Sequence, residues 1–442
     1  MSKVALVSLG CSKNLIDSEQ MLRLLEQEGY EIVEQEEDAE ILIVNTCTFI
    51  EPAKMESIEC ILELAQYKKS GKCRYLVVTG CMAERYREQV LREIPEADAV
   101  IGTNGFDRIG QILRSLEQGK TQQVFCPAEP LLCEASRRRT TPDYTAYIRI
   151  AEGCDNHCTY CVIPSIRGPY RSRQREDILK EAEQMAAEGV KELVVVAQDT
   201  TRYGYDLYGR YCLPELLRAL CAIDGVQWVR VHYCYPELVT DELISVFAQE
   251  EKLCSYFDIP IQHISDRILK RMGRRTSKAQ ITSLIQKIRA QVPGAILRTS
   301  LIVGFPGETE AEFEELIEFV RQTGFERLGV FAYSREEDTP AWGMEDQIEE
   351  EEKQRRQETL MLVQSEISAR WGESRIGSTV QVLTEGRDEI VKRWYGRTYA
   401  DSIEIDGKVF FTCDRALKEG EFVNVKVEQA MEYDLFGRAE EE

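Results

Sequence analysis

The sequence predicts an α/β protein of three units: a parallel-sheet α/β unit, a partial (β/α)6 barrel, and a small all-β barrel of the OB-like kind. Three observations predict it. Short apolar runs alternate with helix-patterned segments over residues 1–125 and again over 144–372. A stretch with three prolines and no periodicity, residues 126–143, separates the two blocks as a linker. From residue 376 to 442 the helical pattern is replaced by strand-like runs divided by Gly, Asp and Lys turns.

In the first block "KVALVSLG", "EILIVNT", "RYLVVTG" and "ADAVIG" read as strands. Between them "LIDSEQMLRLLEQEGY", "PAKMESIECILELAQYKK" and "AERYREQVLREIP" read as helices, the second with Pro52 in its first turn. This alternation demands a parallel sheet covered by helices. In the second block the strands are "AYIRIAEG", "ELVVVAQ", "QWVRVHY", "SYFDIPI", "ILRTSLIVGF" and "RLGVFAYS", with crossover helices between them. A long charged helix over "IEEEEKQRRQETLMLVQSEISARWG" ends it. The last unit carries "TVQVLTEG", "IVKRWYGRTYAD", "EIDGKVFFTCD" and "EFVNVKVEQA".

Composition narrows the function. No run reaches about 18 apolar residues, so no membrane span and no secretory leader is expected, and the cytoplasm is the expected compartment. Thiols stay reduced there, so 15 cysteines point to metal, redox chemistry or core filling rather than disulfides. A formal net charge of −22 argues against a large phosphate-binding surface, and is equally the charge of a protein kept soluble.

"AEGCDNHCTYCVIP" holds Cys154, Cys158 and Cys161 at the C-terminal end of the first strand of the second block, the end that carries chemistry in α/β barrels. Zinc usually takes four Cys or His ligands, and His157, lying between cysteines, makes no such pairing. Three thiolates suit three irons of a 4Fe-4S cluster and leave the fourth iron open to a ligand. Cys11, Cys47 and Cys81 each close a strand of the first block and open toward a helix. Strand C-termini share one edge of a parallel sheet, so these distant thiols converge, and a helix N-terminus beside each favours thiolate. A second three-cysteine cluster is the sharper reading; ordinary buried cysteines are the alternative. Cys60, inside a helical run, and Cys73, before a strand, stand apart from that edge.

The Cys-x3-Cys-x2-Cys spacing resembles the radical S-adenosylmethionine (SAM) superfamily. "SLGCSKNLIDSE", "NTCTFIEPAK", "VTGCMAERY", "YIRIAEGCDNHCTYCVIPSIRG" and "LIVGFPGET" extend the resemblance over the whole chain, to the methylthiotransferase family. The resemblance implies two 4Fe-4S clusters, an auxiliary one on Cys11, Cys47 and Cys81 and a SAM-binding one on Cys154, Cys158 and Cys161. It also implies a C-terminal TRAM domain. Tyr160 is expected near the adenine of SAM, and Gly304 against SAM. Gln198 and Asp199 are expected at its methionyl or ribose part. A plain turn at Gly304 and Gly307 and a helix cap at Asp199 are the structural alternatives. "RGPYRSR" suits an anionic substrate group, the neighbouring domain or solvent.

The family has two branches, one acting on a tRNA adenosine and one on the β-carbon of an aspartate in small-subunit ribosomal protein twelve. "SLGCSKNLIDSE" and the terminal "MEYDLFG" resemble the second; the tRNA branch typically has Gln-Met-Asn after the first cysteine. Ser12 replaces the common proline. Residues 377–442 carry nine Lys or Arg and fifteen Asp or Glu, which suits a basic protein substrate better than tRNA. Trp394 and Tyr395 suit stacking on bases or packing on a peptide. The resemblance implies two SAM molecules per modification: one gives a methyl group, the other a radical that abstracts the β-hydrogen. It further implies an electron donor such as flavodoxin or ferredoxin, and a sulfur donor. A reading of another class, a non-enzymatic iron–sulfur carrier, would call for fully ligated clusters.

Overall fold

The computed structural model describes residues 2–120, 122–127 and 137–440. Six parallel strands form the first sheet: β1 (Lys3–Ser8), β2 (Glu31–Ile32), β3 (Ile41–Thr46), β4 (Tyr75–Gly80), β5 (Ala99–Ile101) and β6 (Gln122–Val124), in spatial order β2-β1-β3-β4-β5-β6. Both faces are buried. Ala5, Leu42, Val44 and Val78 meet one set of helices, while Val4, Ile41, Ile43 and Val77 meet the other. Every residue of β3 is buried, which is why it opens with four apolar residues in a row, Ile41 to Val44. β2 and β6 have two and three residues, too few to leave a periodic signal. The helix read over "AERYREQVLREIP" is two short helices, Cys81–Tyr86 and Glu88–Glu93, parted by Arg87 at φ 44°.

The second unit opens with β7 (Thr145–Arg149), a short antiparallel pair of β8 (Ala151–Glu152) and β9 (Arg171–Ser172), then β10 (Glu192–Val196) and β11 (Trp228–Val231). β12 (Tyr256–Asp258), β13 (Ile296–Val303) and β14 (Arg327–Ala332) follow. They make two parallel three-stranded sheets, β11-β10-β7 and β12-β13-β14. A bridge between Val229 and Leu253 and the bond from Cys234 N to Asp258 O (2.8 Å) join β11 to β12. Six strands therefore curl into an open barrel. The helix Glu350–Ser374 packs along its far edge, with Gln357 Nε2 on Val330 O (2.8 Å) and Gln364 Nε2 on Phe325 O (2.8 Å).

β15 (Thr379–Asp388), β16 (Arg393–Arg397), β17 (Val409–Thr412), β18 (Phe422–Ala430) and β19 (Leu435–Ala439) close a small barrel in the order β15-β16-β17-β19-β18. β19 lies in "MEYDLFG" and its short run follows β18 too closely to stand out in the sequence. The segment between β16 and β17 enters the open side of the larger barrel. Ile403 packs with Tyr147, Val194, Val196 and Ile16. Arg230 donates to Tyr399 O (2.8 Å), Tyr256 OH to Asp406 (2.6 Å), and Ser402 Oγ meets His232 Nε2 at 2.9 Å. Trp394 is drawn partly into the small barrel's own core, and Tyr395 lies under Lys408 Nζ, 4.5 Å from its ring centre.

Residues 128–136 of the predicted linker lie outside the described residues. Its end is anchored. Arg137 pairs with Glu19 of the first unit (2.9 Å) and Glu181 of the second (3.1 Å), and Thr140 N donates to Glu19 (2.7 Å).

Candidate active site

The strand order decides the first cysteine triad. β1, β3 and β4 are neighbours, so the residues that follow them leave the sheet side by side. Cys11 caps the helix Ser12–Gln27, Cys47 follows β3, and Cys81 opens the helix after β4. Asn14 ties the three loops together: its Nδ2 donates to Leu9 O and Thr46 O, both at 2.9 Å, and its Oδ1 lies 3.5 Å from Cys81 Sγ. Ser57 Oγ receives the Cys47 N–H at 3.0 Å. Gly10 keeps the space open. At φ 87°, a Cβ there would sit 2.7 Å from Cys47 Cβ and 2.9 Å from its Sγ.

The expected thiolate character is not what burial dictates. Burial pushes the Cys81 thiol up to about 12, with the charges of Cys11 and Cys47 adding to it and Arg167 opposing. Cys47 moves up for the same first reason. Its helix begins only at Glu51, so no helix N-terminus adjoins it. Closely grouped, desolvated thiols of this kind resist ionising alone and yield their protons to a bound metal group.

The second triad sits on the loop from β8 to the helix Ile163–Arg167. Cys154 N bonds to Gly168 O (3.1 Å) and Cys161 N to Cys158 O (3.0 Å), closing the loop on itself. Thr159 pins it to the barrel through Met272 O (3.0 Å), Arg271 O (2.8 Å) and Ala341 N (2.8 Å). Burial raises the Cys154 thiol to about 11, helped by the charges of Asp199 and Cys158; Cys161 is raised by burial and by the Cys158 charge. Among the described residues no three His, Cys, Asp or Glu side chains are spaced to share one metal ion. Ligands to one ion lie about 4 Å apart, given metal–sulfur bonds of about 2.3 Å. Cysteines of a cluster bind different irons and so need not share the coordination sphere of one ion.

The other expected residues take mixed places. Tyr160 packs with Ile268, Met272, Phe305 and Tyr333 beside the second triad. Gln198 donates to Glu152, and its Oε1 is buried without a hydrogen-bond partner. Asp199 is engaged: it accepts from Asn156 Nδ2 (2.9 Å), Thr201 (2.6 Å) and Arg202 N (3.3 Å). Asn156 in turn reaches Cys154 Sγ at 3.5 Å, so the side chain of Asp199 orients the cysteine loop. At Gly304, φ 72°, an added Cβ would strike the Lys353 side chain at 2.4 Å, so close packing of the long helix accounts for this glycine.

Of "RGPYRSR", Arg167 reaches the first unit. Its guanidinium contacts Asp17 (2.7 Å), Asn14 (2.5 Å), Glu152 (3.2 Å) and Cys81 Sγ (3.5 Å). Arg149 joins it on Asp17 (2.5 Å) and Glu152 (2.8 Å), and Arg173 is buried against Glu181 (2.6 Å). Glu152 lies two residues before Cys154, so one buried network runs from the first triad to the second. Arg274 does for Cys158 what Arg167 does for Cys81, with Nη1 3.9 Å from its Sγ. Sequence reasoning missed Asn14, Lys13, Glu152 and Arg274. The first three lie inside the quoted motifs "CSKN" and "AEGC", where adjacency to the cysteines was the available signal.

A three-cysteine loop at the first strand end of an open six-stranded barrel, joined by a buried charge network to a parallel sheet, is the architecture of a radical SAM protein. Residues 148–320 match the radical SAM superfamily, 376–439 the TRAM domain, and 3–102 an uncharacterized protein family, UPF0004. The chain is 52% identical to the ribosomal protein uS12 methylthiotransferase RimO of Lachnoclostridium phytofermentans, over 99% of this chain and 100% of that one. It is 51% identical to the Clostridioides difficile protein of the same name, over 99% of this chain and 98% of the other. The chain belongs to this methylthiotransferase family, RimO. A solved radical SAM methyltransferase, TsrM from Kitasatospora setae, shares the fold at TM-score 0.57 and 16% identity, covering 77% of this chain and 74% of its own.

Proposed function

We propose that this protein adds a methylthio group to the β-carbon of an aspartate in ribosomal protein uS12. Similarity of about half the residues along the full length to methylthiotransferases of that name carries the reading. Cys11, Cys47 and Cys81 would hold the auxiliary 4Fe-4S cluster, and Cys154, Cys158 and Cys161 the cluster that takes SAM. When bound, these groups supply one-electron reduction, radical hydrogen abstraction, and the methyl and sulfur that are transferred. The units are residues 1–125, 144–372 and 376–442, joined by 126–143.

The chain's own work is positioning and exclusion of water. Cys47, Cys81, Cys154 and Cys158 are buried and shielded from solvent, Cys161 is half-buried, and Cys11 is exposed. Arg167 and Arg274 place fixed positive charge beside Cys81 and Cys158, where the thiolates of a loaded site accumulate negative charge. Asn156 and Asp199 hold the second loop in shape, and Asn14 the first. Tyr160 and the peptide groups at Gly304 are assigned to SAM, with Gln198 offering its unpartnered Oε1. A C-H bond at the β-carbon has no useful acidity, and no general base is assigned.

A low-potential donor such as flavodoxin or ferredoxin and a separate sulfur donor complete the system, and the cytoplasm, where ribosomes work, is its compartment. The acidic last unit suits a basic ribosomal protein through complementary charge. The test offers reconstituted enzyme, SAM, dithionite and sulfide either uS12 or tRNA. Mass gain of a methylthio group on uS12 is the expected result; gain on tRNA alone would overturn the assignment.

A further inference from the structure

Lys13 lies two residues after Cys11 and makes no hydrogen bond within the network that joins the two units. It is 7% exposed, in the first turn of the helix after Cys11. Its Nζ stands 3.6 Å from the ring centre of Tyr233, which follows β11 at the chemical end of the barrel. The chain thus sends a cation from the first unit onto the face where the second triad stands.

Every nearby carboxylate is already committed. Glu152 receives Arg149, Arg167, Gln198 and the Gly153 N–H, and Asp17 receives both arginines. Asp258 is paired with Arg298 at 2.6 Å. Among the described residues no carboxylate lies within 4 Å of Lys13 Nζ. The face of one aromatic ring is a modest partner for an ammonium and leaves its N–H groups available to an anion. Arg149 and Arg167 meet carboxylates directly, whereas Lys13 Nζ meets the Tyr233 ring, with Cys11 and Glu152 the charges that act on it from further off.

We propose that Lys13 receives the side-chain carboxylate of the substrate aspartate. This rests on the uS12 reading above. The carboxylate carbon is bonded to the β-carbon, so a cation that holds the first places the C–H bond of the second between the triads. An asparagine at the same place would leave the ammonium unpaired, which makes Lys13 a determinant of specificity as well as of position.

The experiment measures binding of uS12, and of uS12 with its target aspartate changed to asparagine, to reconstituted holoenzyme in the absence of reductant. Wild type should bind the aspartate form about 10- to 100-fold more tightly, the range of a buried charged hydrogen bond. Lys13→Met should bind both forms equally, and Lys13→Arg should restore part of the preference. Iron content and the visible spectrum of each variant, compared with wild type, show whether both clusters are retained. A preference that survives in a cluster-loaded Lys13→Met variant overturns the inference and leaves the uS12 reading intact. So does a wild type with no preference. Should Lys13→Met lose the auxiliary cluster, Lys13→Arg decides: a partial or full preference there supports the inference, and none overturns it. Failure of wild type to bind uS12 in either form overturns both.

Discussion

Arg167 Nη2 lies 3.5 Å from Cys81 Sγ, although 86 positions separate the two residues. The contact joins the units that carry the two triads, and the same guanidinium holds Asp17 and Glu152. Removing it leaves buried carboxylates short of a partner. Arg167→Met should therefore destabilise the interface by about 3–5 kcal/mol, seen as an earlier first transition in urea. It should also loosen the auxiliary cluster. Arg167→Lys should recover part of the stability, because an ammonium cannot span all the acceptors. An unchanged urea profile for Arg167→Met would refute a structural bridge.

The triads should fail separately. Cys158→Ala should abolish formation of 5′-deoxyadenosine. Cys47→Ala should retain that activity and lose methylthio transfer. Product analysis by chromatography and mass spectrometry distinguishes the two, and full methylthiolation by Cys47→Ala would contradict the auxiliary role.

Gly10→Ala should behave like Cys47→Ala without removing a ligand. Its Cβ would stand 2.7 Å from Cys47 Cβ, on a backbone at φ 87° that side chains rarely adopt. The expected result is a protein with half the wild-type iron that still cleaves SAM. Wild-type iron content would show that the loop can yield.

Acid should loosen the last unit from the barrel. Burial alone would raise the Glu192 carboxyl, but the guanidinium groups of Arg397 (2.6 Å) and Arg230 (3.0 Å) outweigh it and hold the pKa at about 2, below the ordinary 4.5. A depressed carboxyl contributes stability that is full above its unfolded value and is lost as pH falls toward the folded one. The window is thus from about pH 4.5 down to about 2. The contribution is about 3 kcal/mol at neutral pH. Glu192→Gln should lower neutral-pH stability and flatten the acid side of the stability profile relative to wild type. Parallel profiles for the two proteins would remove Glu192 from the account.

Much of the site was legible because its ligands sit where secondary structure changes. A cysteine directly after an apolar run marks a strand end, and parallel strands bring such ends to one edge. That rule brings Cys11, Cys47 and Cys81 to one edge, and the family resemblance supplied their role as ligands. Asp199 lies at a strand end too, yet its side chain is spent on Asn156. Strand-end position cannot separate a residue that meets a ligand from one that supports a loop, because both need the same backbone exit.

The sequence by itself determined the parallel sheet, the open barrel and the small closed barrel, and placed two sets of three cysteines at strand ends, since periodicity and spacing are local properties of the chain. Only the tertiary structure decided that Arg167 belongs to Cys81, that Ile403 enters the larger barrel, and that Lys13 stands over the Tyr233 ring. Those facts depend on which distant side chains share a dry space. In such a space the pairing of each charge is set by geometry across the fold, which no stretch of neighbouring residues contains.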